Sequence, residues 1–304
     1  MGSSLSSEPL TDPFDDSYSS YPEFNCCTLM GQSSSSGSPP KGKKILQSKL
    51  STADKTGVLN LVDQDLKPNS SIWMKISQDG MLPKLKSVDI SGNAIKGLPA
   101  EINMMVNLKS LSATRCSLQR CYDLSSMIRL VQLNLDSNDL EVDVLAPLPT
   151  VLQRVNIANN HFITIPPALG SLINVIELNL CGNRIESTKG LGLLLALVDL
   201  ALDENMIVEL SEDMCQLANL RHLSLKGNKI AKDAVTRQGQ SIPEGVFAHT
   251  ALDSIDLSGN RELTKAIVME FAGVDVFLER RKKTKDKNFQ GGAMMDVSLF
   301  GDLS

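Results

Sequence analysis

The chain has 304 residues, of which 42% are hydrophobic and only 4% aromatic, and its formal net charge is −5. This apolar content is enough for a substantial core and excludes a chain that is disordered throughout. No apolar stretch approaches the roughly 18 to 20 residues of a membrane-spanning helix. The core must be built from Leu, Ile and Val, which suits a stack of small repeats.

Residues 1–44 are rich in Ser, Pro and Gly and poor in aliphatic side chains, so we expect a disordered N-terminal arm. The arm has no hydrophobic core of a secretory signal, which predicts a cytoplasmic protein. Its first six residues, MGSSLS, match the N-myristoylation pattern with Gly2 as acceptor. One acyl chain anchors weakly, so Cys26 and Cys27 are candidate palmitoylation sites for a peripheral membrane location. The alternatives are a chance small-residue start and unmodified thiols.

From residue 85 onward the pattern L-x-x-L-x-L-x-x-N-x-L recurs eight times, and its positions are numbered one to eleven below. Successive repeats are 22 or 23 residues apart, except for a spacing of 32 before the last. The first positions are Leu85, Leu108, Leu130, Leu152, Val175, Leu197, Leu220 and Leu252.

Positions four and six are apolar in every repeat, as in Leu178 and Leu180, and this alternation predicts a short strand. Some of the segments that return from one strand to the next contain Leu-Pro or Ile-Pro, while others look like short helical turns. We therefore predict an α/β solenoid: a curved parallel sheet on the concave face, with irregular or short helical returns on the convex face.

Position nine is Asn in seven of the eight repeats and Cys116 in the other. The chain turns inward after each strand, and a stacked Asn amide can satisfy the backbone groups that the turn buries. A thiol can do this only weakly, so we expect the second repeat to be the least satisfied. The predicted ladder consists of Asn93, Asn138, Asn160, Asn183, Asn205, Asn228 and Asn260.

We assign residues 45–284 to one repeat domain that is capped at both ends. A half-repeat around Leu59 and Leu61 forms the N-terminal cap, and Ser51 is expected to cap a short helix before it. Residues 264–283 have helical apolar spacing and form the C-terminal cap. The long spacing reflects an insertion at 231–245, interpreted as a surface loop, with a dedicated binding element as the alternative. Residues 285–304 are expected to be a flexible tail, although 294–300 is a candidate peptide docking motif.

The array over residues 49–287 resembles the intracellular leucine-rich-repeat superfamily, through its Leu pattern and Asn positions. The segment Ala53-Asp54-Lys55-Thr56-Gly57-Val58 and the Gly2 start resemble the small leucine-rich-repeat-containing protein 57 type, and the Leu-Pro returns resemble Ras-group repeats. The resemblance implies a binding scaffold without catalytic residues.

Side chains at positions three, five and seven point to the concave face and are the candidate partner contacts. Glu177, Asp199, Asp203 and Glu204 are expected to form an acidic patch for basic side chains of a partner; an ordinary hydrated sheet face is the alternative. The candidate contacts are Asp136, Asn156, Glu177, Asn179, Asp199, Asp203, Glu204, His222 and Lys226.

No metal-ligand spacing, phosphate-binding loop or dinucleotide motif occurs in the sequence, so we expect no enzyme activity, cofactor, metal or nucleic-acid ligand. We predict a non-catalytic scaffold or adaptor that binds a partner protein. The alternative is a regulatory subunit of a phosphatase, a small-GTPase signalling complex or a ubiquitin ligase. A scaffold leaves the activity of its partner unchanged, whereas a regulator alters it.

Overall fold

The computed structural model describes residues 42–142, 145–235, 239–289, 300–301 and 303. Within these ranges nine short strands form one parallel sheet, and each strand pairs with the next along the chain. The predicted α/β solenoid is therefore confirmed. The strands are Val58–Asn60 (β1), Ser87–Asp89 (β2), Ser110–Ser112 (β3), Gln132–Asn134 (β4), Arg154–Asn156 (β5), Glu177–Asn179 (β6), Asp199–Ala201 (β7), His222–Ser224 (β8) and Ser254–Asp256 (β9).

The core is a single column of aliphatic side chains behind the sheet. Each strand from β2 to β9 covers positions three to five of its repeat, and positions one, four and six are buried in all eight repeats. Position eleven is buried as well, except that Leu263 takes its place in the last repeat. Each fully buried Leu or Ile contributes roughly 1.5 to 3 kcal/mol through burial. Because these side chains pack against neighbouring repeats, stability depends on contacts between repeats.

The Asn side chains at position nine form a hydrogen-bonded line inside the turns, named the inner ladder here. Asn183 Nδ2 donates to the carbonyl oxygen of Leu180 at 2.9 Å and to that of Ile157, in the preceding repeat, at 3.2 Å. Its Oδ1 accepts from the backbone N–H of Phe162 at 3.1 Å. The Leu180 carbonyl also accepts from Asn205 at 3.0 Å, so one carbonyl joins two rungs.

Cys116 replaces only the hydrogen-bond donor of the Asn side chain that occupies this position in the other repeats. Its Sγ donates to the carbonyl oxygens of Ile90 at 3.2 Å and Thr114 at 3.4 Å. Burial raises the pKa of this thiol, so it keeps the proton that these bonds require. The thiol provides no acceptor corresponding to the Asn oxygen. The N–H of Ile95 instead donates to the carbonyl of Asn93, within its own turn, at 2.8 Å.

Two helices flank the N-terminal half-repeat: Gly42–Thr56 (α1) and Ser71–Gln78 (α2). Helix α1 buries Leu50 and Ala53 against the first coil and ends at Gly57, whose φ of 75° is the left-handed conformation common after a helix. It begins before the boundary predicted at residue 45. The prediction that Ser51 caps a helix is wrong, because this residue lies inside α1 and the apolar spacing extends the helix further upstream.

Short 3₁₀ helices form several of the returns, as the fold prediction requires. Prolines in the extended conformation precede two of them: Pro99 has φ −66° and Pro166 has φ −59°. A proline fixes φ near these values and cannot donate, so it suits the residue where a return begins. The 3₁₀ segments are Leu82–Lys84, Ala100–Met104, Pro167–Ser171, Leu191–Leu193 and Glu212–Gln216.

Within the insertion at 231–245, the described residues before 236 and after 238 pair in an antiparallel fashion. Asp233 bridges Gln240, and the N–H of Ala234 donates to the carbonyl of Gly239 at 2.8 Å. The end of the insertion starts a helix, Glu244–Ala248 (α3), and Ile242, two residues before this helix, is fully buried in the core. Part of the insertion therefore belongs to the core, which goes beyond the surface loop expected from its composition.

Two helices, Lys265–Met269 (α4) and Val274–Phe289 (α5), cover the last repeat. The Oγ1 atom of Thr264 accepts from the N–H of Ile267 and caps α4. Arg280 holds α5 against α3, because its guanidinium donates to the carbonyl of Phe247 at 3.0 Å.

The C-terminal residues that the structure describes also pack on the last repeat. Phe300 is buried with its ring centroid 6.0 Å from that of Phe277, and its carbonyl accepts from the N–H of Leu257 at 2.9 Å. That bond is the one a next strand would make with β9. This finding differs from the flexible tail expected over 285–304, and so does helix α5, which continues to Phe289. The physical reason for the packing of Phe300 is that the last repeat exposes the end of the aliphatic core, where an apolar side chain gains by covering it.

Among the helices of the described residues, none combines the length and apolar character needed to cross a bilayer.

Candidate functional site

The parallel register places position-three side chains of neighbouring strands side by side on the concave face. Arg154 is level with Glu177, Glu177 with Asp199, and Asp199 with His222. These four residues, named the charged line here, cross β5 to β8 in the order positive, negative, negative and ionisable. The alternation of the strands directs them away from the core.

Two ion pairs link the charged line. Arg154 Nε lies 2.8 Å from Glu177 Oε1, and His222 Nε2 lies 3.8 Å from Asp199 Oδ1. The exposed fraction of the side chain rises from 15% for Glu177 to 40% for Asp199 and 56% for His222. Burial raises the pKa of Asp199, His222 lowers it and Glu177 raises it again. The two adjacent carboxylates of the predicted acidic patch are therefore flanked by Arg154 on one side and by the ionisable His222 on the other.

The carboxylate of Asp203, one of the predicted partner contacts, makes its hydrogen bonds within the fold. Asp203 is 8% exposed, and Oδ1 accepts from the Ser224 hydroxyl and from the backbone N–H of Lys226 at 2.9 Å. Burial raises the pKa of this carboxyl group. Buried polar groups need such partners, so the carboxylate is not free for another protein.

Asn179, another of the predicted contacts, is also buried. Its Oδ1 accepts from the N–H of Cys181 at 3.0 Å, two residues along the chain. Asn156 makes the same bond to Ala158 at 3.1 Å but stays half-buried. Short polar side chains at position five thus close the turn after the strand, as Asx turns do. Position five contributes to the fold at least as much as to a binding surface.

The remaining predicted contacts are accessible to different degrees. Asp136 is half-buried and accepts from Asn159 Nδ2 at 2.7 Å. Glu204 and Lys226 are exposed. The accessible part of the predicted site is therefore the charged line together with these two exposed residues.

The sequence reading missed a second amide ladder on the flank, at the residue before position one. Asn107 Nδ2 donates to the carbonyl of Pro83 at 2.7 Å, and Asn174 makes the equivalent bond to Thr150 at 2.9 Å. Asn219 continues the series at 2.9 Å. Three Asn residues at one repeat position were the available signal. These bonds hold the flank loops in register and thereby fix the strand starts.

The described residues contain no group of three or more His, Cys, Asp or Glu side chains arranged to hold a metal ion. Of the cysteines in this part of the chain, Cys121 is deeply buried, and burial raises the pKa of its thiol to about 12. The predicted lipidation sites Gly2, Cys26 and Cys27 lie outside the described residues.

The Leucine Rich Repeat family profile matches residues 151–172, which is one turn of the solenoid. A structure of the octameric complex of latrophilin 3, Unc5D and FLRT2, in which FLRT2 contributes its leucine-rich-repeat domain, superposes with a TM-score of 0.50 at 17% identity. This match covers 71% of the present chain and 72% of the other. The present chain has the leucine-rich-repeat fold. A sequence search of curated proteins gives no match.

Two further solved structures are similar to the present chain over part of their length. The ectodomain of the receptor kinase GASSHO1/SCHENGEN3 from Arabidopsis thaliana, in complex with CASPARIAN STRIP INTEGRITY FACTOR 2, gives 25% identity and a TM-score of 0.44 over 60% of this chain. An internalin, inlF, from Listeria monocytogenes gives 22% identity and a TM-score of 0.46 over 57% of it. The leucine-rich-repeat chain described here spans 25% of the first and 48% of the second.

Proposed function

We propose that this leucine-rich-repeat chain is a non-catalytic scaffold or adaptor that binds a partner protein on its concave face, centred on the charged line. The observation that carries the proposal is the pair of adjacent carboxylates, Glu177 and Asp199, which the register places side by side on an open sheet. Both side chains are partly exposed. A basic side chain of a partner would interact with both at once.

The charge arrangement favours specificity over high affinity. A partner must place a cation between Arg154 and His222 without approaching either, so the flanking groups define its position. Positions three, five and seven of the eight repeats include no aromatic residue. Aromatic side chains dominate the energetics of most interfaces, so we expect modest affinity.

Charge reversal tests this proposal. We expect the double variant Glu177→Lys and Asp199→Lys to lose the proteins that the wild-type chain captures from cell extract, by about tenfold or more. The matched control is Glu141→Lys with Glu186→Lys, which makes the same charge change at two exposed flank positions. Equal recovery by wild type and by the concave variant would rule out the charged line as the binding surface.

The alternative, a regulatory subunit of a phosphatase, small-GTPase or ubiquitin-ligase complex, uses the same surface. The captured partner distinguishes the two functions once it is purified. If the chain is a scaffold, adding it leaves the turnover of the partner unchanged. If it is a regulatory subunit, turnover shifts, and the charge-reversal variant abolishes the shift.

We also propose membrane attachment through an acyl chain on Gly2, supported by the MGSSLS motif, with Cys26 and Cys27 as a second anchor. A single myristoyl chain binds membranes with a constant of only about 10⁴ M⁻¹, so the second anchor matters. Gly2→Ala is expected to release the protein from the membrane fraction, and an unchanged distribution would exclude the anchor. Assignment to the leucine-rich-repeat-containing protein 57 type with Ras-group repeats is a proposal too, supported by the residue 53–58 segment and the Leu-Pro returns.

A further inference from the structure

A groove of about 910 Å³ lies on the flank of the solenoid, away from the concave face. It opens where the N-terminal half-repeat diverges from the first two full repeats. The start of α2, the return at 95–101 and residues 119–122 line it. This site, named the flank groove here, contains none of the charged-line residues.

Tyr122 provides the apolar floor of the flank groove. Its ring packs over Gly97, where a side-chain Cβ would lie 3.7 Å from Tyr122 Cε2. The guanidinium carbon of Arg120 lies 5.6 Å from the ring centroid, within the range of a cation–π contact. Met74 adds an exposed thioether side chain on the opposite wall. An aromatic or long aliphatic side chain would lose water-exposed surface by packing here.

The groove lining is cationic on balance. Lys96 and Arg120 line it on adjacent coils, joined by the bridge between Gly97 and Arg120, whereas Glu101 is the only carboxylate in the lining. Within the described part of the chain, neither cation forms an ion pair. Two exposed cations that line one groove from adjacent coils favour a carboxylate between them.

Two buried polar atoms without hydrogen-bond partners belong to residues that line the flank groove or the pocket beside it. The described residues contain three buried side-chain nitrogen or oxygen atoms that make no hydrogen bond, and two of them are Trp73 Nε1 and Asn103 Oδ1. Trp73 lines the flank groove, and Asn103 lines an adjoining pocket of about 290 Å³ that shares Tyr122 with it. One atom is a donor and the other an acceptor. An extended peptide backbone offers the complementary pair, and buried polar atoms are rarely left unpaired in native proteins.

We infer that the flank groove binds an extended segment of a partner protein in which an acidic residue lies close to an aromatic or large aliphatic one. The carboxylate binds between Lys96 and Arg120, and the apolar side chain packs on Tyr122 and Met74. This preference is opposite in charge to that of the charged line. A single chain could therefore hold an acidic segment on its flank and a basic surface on its concave face.

The experiment uses the fact that Trp73 is the only tryptophan of the chain, so its emission reports on this groove alone. A phage-displayed library of random tryptophan-free dodecapeptides is selected on the full chain. Enriched sequences are expected to place Asp or Glu within about three residues of Phe, Tyr, Leu or Met, the spacing that an extended chain can present to the groove. The most enriched peptide, once synthesised, is expected to change the Trp73 emission on titration.

The double variant Lys96→Glu and Arg120→Glu is expected to weaken that peptide by about tenfold or more. The control Lys109→Glu with Arg115→Glu reverses two exposed cations of the second repeat that lie outside the groove lining and is expected to bind normally. The Glu177→Lys and Asp199→Lys variant should also bind normally, so failure of the concave-face proposal would leave this one intact.

Three results would overturn the inference. The first is a selection that enriches no peptide with an acidic residue near an aromatic or large aliphatic one, whether or not the charged line enriches basic peptides. The second is binding that leaves the Trp73 emission unchanged or survives the Lys96 and Arg120 reversal. The third is a Trp73 response to phosphatidylserine vesicles in place of the peptide, which would identify a lipid surface as the ligand.

Discussion

The inner ladder and the charged line follow the same parallel strands, yet they are held in opposite ways. A rung of the inner ladder, such as Asn183, is buried and bonded to backbone groups of two repeats. A member of the charged line, such as His222, is exposed and has one ion-pair partner at 3.8 Å. The comparison teaches that the solenoid assigns its polar residues to two tasks: buried amides fix the backbone, and exposed charges on the other side of the strands remain available for partners.

The largest expected effect comes from breaking the inner ladder. Asn183→Ala removes the acceptor of the Phe162 N–H, whereas the carbonyls of Leu180 and Ile157 lose one donor and keep Asn205 and Asn160 as the other. Leaving the Phe162 N–H unpaired in the interior, together with the lost amide bonds, should lower the free energy of unfolding by roughly 3 kcal/mol. Urea unfolding followed by circular dichroism measures the change.

Asn174→Ala is the matched control for Asn183→Ala, because it removes one amide bond from the flank ladder. Asn174 is exposed, so water can satisfy the Thr150 carbonyl once its 2.9 Å bond is lost, and the cost should stay below about 1 kcal/mol. Equal losses for the two variants would show that burial does not separate the two ladders.

A smaller effect should follow from completing the inner ladder at its weakest rung. In Cys116→Asn, the new amide oxygen can accept from the N–H of Ile95. The Asn oxygen of every other rung accepts from a backbone N–H of its preceding repeat in the same way. We expect a gain of about 1 kcal/mol in the free energy of unfolding. Cys116→Ala, which removes both thiol bonds, should lower stability. Destabilisation by both substitutions would mean that the turn at Cys116 cannot accommodate an amide.

The sequence was sufficient for the fold because its signals are repeated. One apolar residue at position four is weak evidence, but eight at a fixed period leave a single arrangement in which all of them are buried. The positions of β2 to β9 follow directly from that period. The same logic, applied one residue before position one, would have revealed the flank ladder at Asn107, Asn174 and Asn219.

The candidate site was less predictable because orientation toward the concave face does not decide whether a side chain is free. Asp203 and Glu204 look equivalent in sequence, but Asp203 bonds to the next repeat whereas Glu204 is exposed. The reason is that Ser224 occupies position five of its repeat, where an Asn or Asp side chain would accept from the N–H of Lys226. The Asp203 carboxylate, in the preceding repeat, accepts from this N–H instead. The flank groove left no periodic signal, because it forms where the repeats stop matching.

Asp203 combines features of the inner ladder and the charged line, because it is a charged residue that is buried and hydrogen-bonded within the fold. Its substitution should have the smallest effect on stability. Burial raises the folded-state pKa of Asp203 above its ordinary value of 3.8, so the folded chain binds the proton more tightly than the unfolded chain does. The stability from this proton is complete below the unfolded pKa and is lost as pH rises through the folded pKa. Relative to Asp203→Asn, the wild type should therefore lose stability as the pH rises above about 4 and passes through the folded-state pKa of Asp203. Urea unfolding across that range, with Glu204→Gln as the exposed control, measures the difference. A difference that grows with pH in favour of the wild type would show that the bonds from Ser224 and Lys226 outweigh burial, and that Asp203 functions as a fully charged rung of the fold.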